Sequence, residues 1–137
     1  MTTTLSSEQM KAIVRRHFDD FVNNQRPEVI RVNMAPSFVD HDGPQQRAVG
    51  IDEDEAMMRR MYELMPGLEV RIEDLVAEGD MVVCRNVWRW ESQADGTPME
   101  FRGFVQWRFE GDKIAERWAT VTPPGPATSD LSAEIGG

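Results

Sequence analysis

Cysteine, histidine and tyrosine are scarce in this chain, which has one cysteine, two histidines and one tyrosine in 137 residues. The single cysteine, Cys84, excludes an internal disulfide and a cysteine-based zinc site. Because it stands in the apolar stretch MVVCRNVW, we expect a small core residue rather than a reactive thiol. The histidines, His17 and His41, are far apart and lack a spaced carboxylate motif, so we expect no metal site.

Basic residues and long apolar runs are also lacking. Lys and Arg total 15 against 24 Asp and Glu, and the formal net charge is −9. Such a surface repels phosphate backbones and anionic membranes, so neither nucleic acid nor a membrane is expected as a partner. No apolar run reaches the roughly 18 residues that cross a bilayer, and the start, MTTTLSSEQM, has no signal-peptide pattern. We therefore expect a cytoplasmic protein.

The first half of the sequence has helical periodicity. Ser6 or Ser7 can cap a helix in which apolar residues recur at helical spacing up to Val22. Pro27 suits the first position of a short second helix, PEVIRVNM, which Pro36 ends. A third helix, IDEDEAMMRRMYELM, begins with acidic residues that complement its dipole and stops at Pro66.

The second half changes to the alternating period of strands. Four strands are predicted, LEVRIEDLVAE, MVVCRNVWRWES, MEFRGFVQWRF and IAERWATV, joined by the turns EGD, QADGTP and EGDK. Helices followed by strands predict an α+β fold, in which three N-terminal helices pack on one face of a cone-shaped, curved antiparallel sheet. The inside of the cone would be a ligand cavity, and the outer sheet face would be free to pair with a second subunit. We predict one domain, residues 1–122, and a flexible Pro/Gly-rich tail, residues 123–137.

The order of these motifs resembles the SnoaL-like proteins, a family with the nuclear transport factor two fold. The resemblance covers about residues 8–122. Its most specific piece is EGDKIAERW, residues 110–118, and MPGLEVRIEDLVAEGD and FVDHDG add to it. The resemblance implies an α+β barrel with an apolar pocket, often a homodimer. Members include polyketide cyclases, which close a ring by an intramolecular aldol step without a cofactor.

The resemblance does not fix the reaction, because relatives of the same fold include an isomerase, an epoxide hydrolase and dehydratases. In the cyclases an acidic residue shortly after the final Glu-x-Trp is the acid/base, but here Thr120 and Thr122 stand near that place. The hydrolases need an Asp-Arg-Asp arrangement. Arg102 is present, but Phe104 rather than an Asp stands two residues later, which counts against this reaction. The isomerase needs a pocket tyrosine, for which Tyr62 is the one candidate.

Two acid/base candidates come from the residues themselves. In FVDHDG, His41 stands beside Asp40, and a carboxylate near an imidazole suits general acid/base work; the alternative is a hydrogen-bonded loop histidine. Glu116 shares a strand face with Trp118. If that face lines an apolar cavity, desolvation would raise the pKa of Glu116. The alternative for Glu116 is an ion pair with an arginine such as Arg85 or Arg108. We give His17, which follows Arg15 and Arg16, a solvated position and no role.

Large apolar side chains supply the predicted binding surface. Trp88 and Trp90 share a strand face and form either a flat wall for a cyclic ligand or core packing. The methionines of the third helix form either core or a pliable pocket lid. The predicted substrate-binding residues are Trp118, Tyr62, Trp88, Trp90, Arg85, Met58, Met61 and Phe104.

These observations predict a homodimeric SnoaL-like protein that binds a hydrophobic, cyclic carbonyl compound. It would abstract a proton next to the carbonyl group, giving aldol cyclisation or isomerisation, with His41 or Glu116 as the base and Asp40 in support. Because no phosphate loop, dinucleotide fingerprint or serine-nucleophile elbow is present, we expect no cofactor. The alternative is a non-catalytic dimeric ligand-binding or interaction module of the same fold.

Overall fold

The structure is a computed structural model that describes residues 5–127. Its first helix, α1 (Ser7–Phe18), begins where Ser6 and Gln9 bond each other's backbone: the Ser6 Oγ accepts from the Gln9 N–H at 3.1 Å, and the Gln9 Oε1 accepts from the Ser6 N–H at 2.8 Å. This reciprocal cap satisfies two amides that the helix itself leaves unbonded. The helix therefore begins where the serines predict it.

Five further helical segments follow, and the last two come after the first strand. A π-helical turn (Asp19–Asn23) extends α1, a 3-10 turn (Pro27–Val29) leads into α2 (Ile30–Asn33), and a second 3-10 turn (Pro44–Gln46) precedes α3 (Ile51–Leu64). The short helix after Pro27 is confirmed, but it does not continue to Pro36.

The chain forms a strand where the sequence predicted helix and loop. Strand β1 (Met34–Asp40) contains Pro36 and runs parallel to β5, whereas the other neighbours pair antiparallel. The remaining strands are β2 (Glu69–Glu78), β3 (Met81–Glu91), β4 (Pro98–Glu110), β5 (Lys113–Val121) and β6 (Gly125–Pro126). The six-stranded sheet has the order β1-β5-β4-β3-β2, and β6 pairs with β4. Proline is tolerated in β1 because this strand lies at the sheet edge.

The helices cover the concave face of the sheet. Helix α1 packs on β2 and β3, and α3 packs on β1. Side chains that alternate along β3 and β4 point into the space between these layers, so Val82, Cys84, Val105 and Trp107 are buried. The predicted core position of Cys84 is confirmed, since it is 0% exposed and burial raises the pKa of its thiol. In residues 5–127, no helix combines the length and the apolar character needed to cross a membrane.

The chain after β5 continues along the sheet as far as it is described. Gly125 and Pro126 pair with β4, and the Ala127 N–H donates to the Pro98 carbonyl oxygen at 2.9 Å. The rest of the predicted tail, residues 128–137, lies outside the described residues. The boundary predicted at residue 122 remains a prediction.

Candidate functional site

The helices and the concave sheet face enclose a cavity of about 640 Å³. Its walls are largely aromatic and aliphatic, with a small number of polar side chains. The aromatic members are Phe18, Phe21, Phe38, Trp88, Phe101 and Trp107. The polar members are His17, Asp40, Asp42, Gln46, Asp54, Arg117 and Thr120. An apolar cavity of this size with few convergent polar groups is typical of a site for a small organic ligand.

Asp40 is the acid that strand β1 directs into the cavity. Because side chains alternate along a strand, Phe38 and Asp40 point inward, and they are 3% and 0% exposed. The backbone around Asp40 is held on both sides. Its N–H and carbonyl exchange hydrogen bonds with Val49 at 2.8 and 2.9 Å, and its Oδ1 accepts from the Asp42 N–H at 3.0 Å. The carboxyl group is therefore fixed at the cavity wall.

Arg117 supplies the positive charge for Asp40. It lies on β5, opposite Asp40 in the parallel β1–β5 register. Its Nη1 lies 3.0 Å from both carboxylate oxygens of Asp40. The guanidinium carbon is 5.6 Å from the centroid of the Trp107 ring, a cation–π contact. Both partners are shielded from water, so the pair depends on this geometry.

Asp54 places a second carboxyl group against the first. It lies in the first part of α3, on the same face as Met58 and Met61, and is 4% exposed. Burial, followed by a hydrogen bond with Asp40, raises the pKa of Asp54 from 3.8 to about 8. The Asp54 Oδ1 has no protein donor among the described residues. Asp54 is therefore protonated at neutral pH, and its O–H is the donor of the hydrogen bond to Asp40.

Asp40 and Asp54 thus place two carboxyl groups side by side in one buried site, with the Arg117 guanidinium next to them. One group can then accept a proton while the other gives one. In residues 5–127, no set of three or more Asp, Glu, His or Cys side chains is arranged to hold a metal ion.

His17 also faces the cavity, which contradicts its predicted solvated position. It is 2% exposed and lines the wall between Phe21 and Trp107. Burial, with the charge of Arg117 as a second cause, lowers the pKa of His17 from 6.5 to about 3. The imidazole is therefore neutral at neutral pH.

His41 and Glu116 lie together on the outer side of the sheet, not at the cavity. The His41 Nε2 is 2.7 Å from the Glu116 Oε2, and the Arg108 Nε donates to the Glu116 Oε1 at 2.5 Å. The His41 ring stacks on Trp118, with centroids 4.8 Å apart. The hydrogen bonds from Arg108 and then from His41 lower the pKa of Glu116. The expectation of a desolvated Glu116 with a raised pKa is wrong, and the ion-pair alternative describes it.

The predicted substrate-binding residues divide between the cavity and other places. Trp88, Met58 and Met61 line the cavity. The Tyr62 hydroxyl donates to the Phe21 carbonyl oxygen, Trp90 packs near Phe101, and Arg85 pairs with Asp74. Trp118 and Phe104 lie on the outer sheet face, and Phe104 is 54% exposed. The five residues that are not cavity-lining therefore have structural contacts or an outer-surface position.

Sequence reasoning missed three polar groups of the cavity: His17, Asp54 and Arg117. Asp54 carried a signal, because it precedes Met58 and Met61 by four and seven residues on one helix face. Arg117 shares a strand face with Ala115 and Ala119, and this face is opposite to that of Glu116. Only the assembled fold brings these groups to Asp40, because they come from different elements.

A family model described as SnoaL-like polyketide cyclase matches residues 12–122. Among solved structures, AclR from Streptomyces galilaeus, proposed as a hydroxylase, has a TM-score of 0.74 at 17% identity and covers 96% of this chain and 98% of its own. A SnoaL-like protein from Jannaschia sp., proposed as a polyketide cyclase, has a TM-score of 0.73 at 22% identity, covering 94% and 90%. IdmH from Streptomyces antibioticus, also proposed as a polyketide cyclase, has a TM-score of 0.73 at 19% identity, covering 93% and 98%. No curated protein matches the sequence.

Proposed function

The chain belongs to the SnoaL-like polyketide cyclase family, and on that premise we propose that it is a cofactor-independent enzyme acting on an apolar, cyclic carbonyl compound. The reaction is proton abstraction from the carbon next to the carbonyl group, followed by aldol cyclisation or isomerisation. Asp40 and Asp54, rather than His41 and Glu116, are the acid and base.

The observation that carries this proposal is the buried carboxyl pair at the cavity wall. Asp54 has a pKa of about 8, and Asp40 is paired with Arg117 at 3.0 Å. A general acid and a general base work best when their pKa values lie near the working pH. The raised pKa of Asp54 meets this requirement for the acid, and the adjacent Asp40 places a base in the same apolar cavity.

The proton balance of the reaction follows from this pair. The Asp40 carboxylate takes a proton from the carbon next to the carbonyl, and the electron pair of that C–H bond forms the enolate. In isomerisation the enolate takes a proton back at another carbon. In aldol closure it attacks a second carbonyl of the same molecule, and the new alkoxide takes the Asp54 proton. Transfer of the Asp40 proton to Asp54 then restores the starting state.

The substrate we propose is neutral and at least bicyclic. Arg117 is already paired with Asp40, and the raised pKa of Asp54 favours its neutral form, so these three groups leave no counter-ion for a charged ligand. Trp88, Phe101 and Trp107 provide broad apolar contact surfaces within about 640 Å³. Such walls favour flat rings over flexible chains, because rigid ligands lose less conformational freedom on binding.

The test is hydrogen exchange next to a carbonyl in heavy water. α-Tetralone and β-tetralone, two bicyclic ketones, are offered as probes, and their binding is followed by tryptophan fluorescence. We expect the protein to accelerate deuterium incorporation, and Asp40→Asn or Asp54→Asn to reduce the acceleration by about 100-fold or more. Asp52→Asn is the matched control, because Asp52 lies in the same helical turn, is exposed and pairs with Arg31.

The outcomes separate the proposal from its alternatives. Binding of the ketones without any accelerated exchange contradicts the enzyme proposal and favours the non-catalytic ligand-binding module. Thr120 and Thr122, in place of the acidic residue of the family, also favour that module. Loss of exchange in Glu116→Gln with full exchange in Asp54→Asn contradicts the carboxyl pair. Failure of both ketones to bind contradicts the substrate class.

We also propose that the protein is a homodimer joined through the outer sheet face. Phe104 is 54% exposed there, and it borders a groove of about 370 Å³ with Val87 and Thr120. An exposed aromatic side chain on a sheet face is stabilised when a partner covers it. A second copy of the chain would bring the same face, as a two-fold interface requires.

A further inference from the structure

The imidazole of His17 is a neutral donor and acceptor in the wall of a largely apolar cavity. It is 2% exposed and lines the same cavity as Asp40 and Asp54. Arg117 and Asp20 are the charged groups that act on it. A neutral imidazole has one N–H donor and one acceptor nitrogen, and its neighbours decide which is which.

Asn33 decides the tautomer of His17. The Asn33 Nδ2, an amide donor, lies 2.9 Å from the His17 Nδ1. Because Nδ1 accepts this hydrogen bond, the single ring proton lies on Nε2. A residue at the end of α2 thus sets the chemical state of a side chain on α1.

The His17 side chain lines the cavity, and Nε2 is the ring nitrogen that Asn33 does not engage. In residues 5–127, the His17 ring makes one hydrogen bond, the one between Nδ1 and Asn33. The Trp107 Nε1 next to it is fully enclosed and has no partner. The ring is held in place by stacking on Phe21 at 4.8 Å and by an edge contact with Trp107 at 5.7 Å. The donor is therefore fixed in direction before any ligand binds.

Arg117 and Trp107 connect this donor to the carboxyl pair. Trp107 contacts the His17 ring on one side and the Arg117 guanidinium on the other, and Arg117 binds Asp40. The donor and the acid/base pair thus face the cavity from two sides of one cluster. A ligand that reaches both presents an oxygen to His17 and a carbon-bound hydrogen to Asp40.

We propose that the Nε2–H of His17 donates to the carbonyl oxygen of the bound compound and so sets which of its carbons meets Asp40. This inference rests on the proposed function and adds the orientation of the substrate. As the enolate forms, negative charge develops on that oxygen, and a fixed donor in a dry cavity stabilises it without rearrangement. A ligand without an oxygen at this place leaves the donor unpaired, which costs affinity. The site therefore selects ketones over hydrocarbons of the same shape.

The test compares α-tetralone with tetralin, its hydrocarbon counterpart, in the full-length protein. We expect the wild type to bind the ketone about tenfold more tightly than the hydrocarbon, as one hydrogen bond to a buried donor supplies. His17→Phe keeps a stacked ring without nitrogen, and the preference should disappear while tetralin affinity is retained. His17→Gln, whose amide can supply an N–H in a similar place, should restore part of the preference.

Two spectroscopic measurements test the hydrogen bond directly, and the first needs only the wild type. Nitrogen NMR should show a protonated Nε2 and an unprotonated Nδ1 for His17, unchanged from about pH 5 to 8. The carbonyl stretch of bound α-tetralone should move to lower frequency, and this shift should be absent in His17→Phe. A protonated Nδ1, or an equal ketone preference in His17→Phe, overturns the inference.

The failure of this inference is distinguishable from failure of the proposed function. Accelerated exchange with no effect of His17 on ketone preference leaves the carboxyl pair in place and removes His17. A His17-dependent ketone preference without accelerated exchange keeps the oxygen-binding role and removes the catalytic one.

Discussion

At the residue scale, the surroundings of each carboxyl group decide what it can do. Asp54 faces the cavity and Glu116 the outer side of the sheet, and their pKa values move in opposite directions. Burial beside Asp40 raises the pKa of Asp54, whereas hydrogen bonds from Arg108 and His41 lower that of Glu116. The side chain that keeps a proton at neutral pH is the one without a cation of its own.

The raised pKa of Asp54 predicts how stability depends on pH. The folded state holds the proton more tightly than the unfolded chain, with a pKa of about 8 against 3.8. The stability that this proton contributes is thus fully present below the unfolded pKa and is lost as pH rises toward about 8. Between these values, the free energy of unfolding of the wild type should fall relative to Asp54→Asn by up to about 1.4 kcal/mol per pH unit.

Urea denaturation of both proteins at about pH 5, 6 and 7 measures this difference. Asp52→Asn, the exposed carboxylate in the same turn, should follow the wild type. Parallel curves for the wild type and Asp54→Asn would mean that Asp54 is ionised in the folded protein.

At the element scale, the end of the first helical segment is tied to the sheet by one side chain. The Asn23 Nδ2 donates to the Val70 carbonyl oxygen at 3.1 Å, and the Asn23 Oδ1 accepts from the Val70 N–H at 2.7 Å. Asn23 thereby pairs with β2 as a neighbouring strand would. These bonds hold the helical layer against the sheet near Phe21, one of the cavity walls.

Asn23→Ala should lower the free energy of unfolding by about 1–3 kcal/mol, because it leaves both polar groups of Val70 without their partner. Asn24→Ala is the matched control, since the Asn24 side chain bonds Asp20 on the surface and does not reach the sheet. It should change stability by less than about 0.5 kcal/mol. Chemical denaturation measures both, and equal effects would show that the link to β2 contributes nothing.

The helices and strands differ in how clearly the local sequence predicts them. The alternation of β2 to β5 and the 3.6 period of α1 and α3 are long, so local pattern was sufficient. Strand β1 was missed because Pro36 and the short helix before it favour a break, while its pairing with β5 lies about 80 positions away in the chain, as Met34 opposite Ile114 illustrates. Local sequence does not encode such a pairing.

At the scale of the whole molecule, the outer sheet face should join two copies of the chain. The wild type should sediment as a dimer of 15.6 kDa subunits, and Phe104→Glu should give monomers, because a charge would be buried against its own copy. Val32→Glu is the matched control, since Val32 is 64% exposed on α2, on the helical side. Analytical ultracentrifugation distinguishes these states, and a monomeric wild type at micromolar concentration would contradict the dimer.

The sequence by itself determined the fold class and an apolar inner face, because hydrophobic period and turn chemistry act over a few residues. The family followed from the resemblance of its motifs and their order. The sequence also brought Asp40 to attention, through FVDHDG. Only the tertiary structure decided that Asp40 points inward and His41 outward, that Asp54 and Arg117 meet Asp40, and that His17 is buried and neutral. These facts depend on strand register and on which helix face meets the sheet. They therefore depend on contacts between residues far apart in the chain, which set the pKa values and the direction of each polar group.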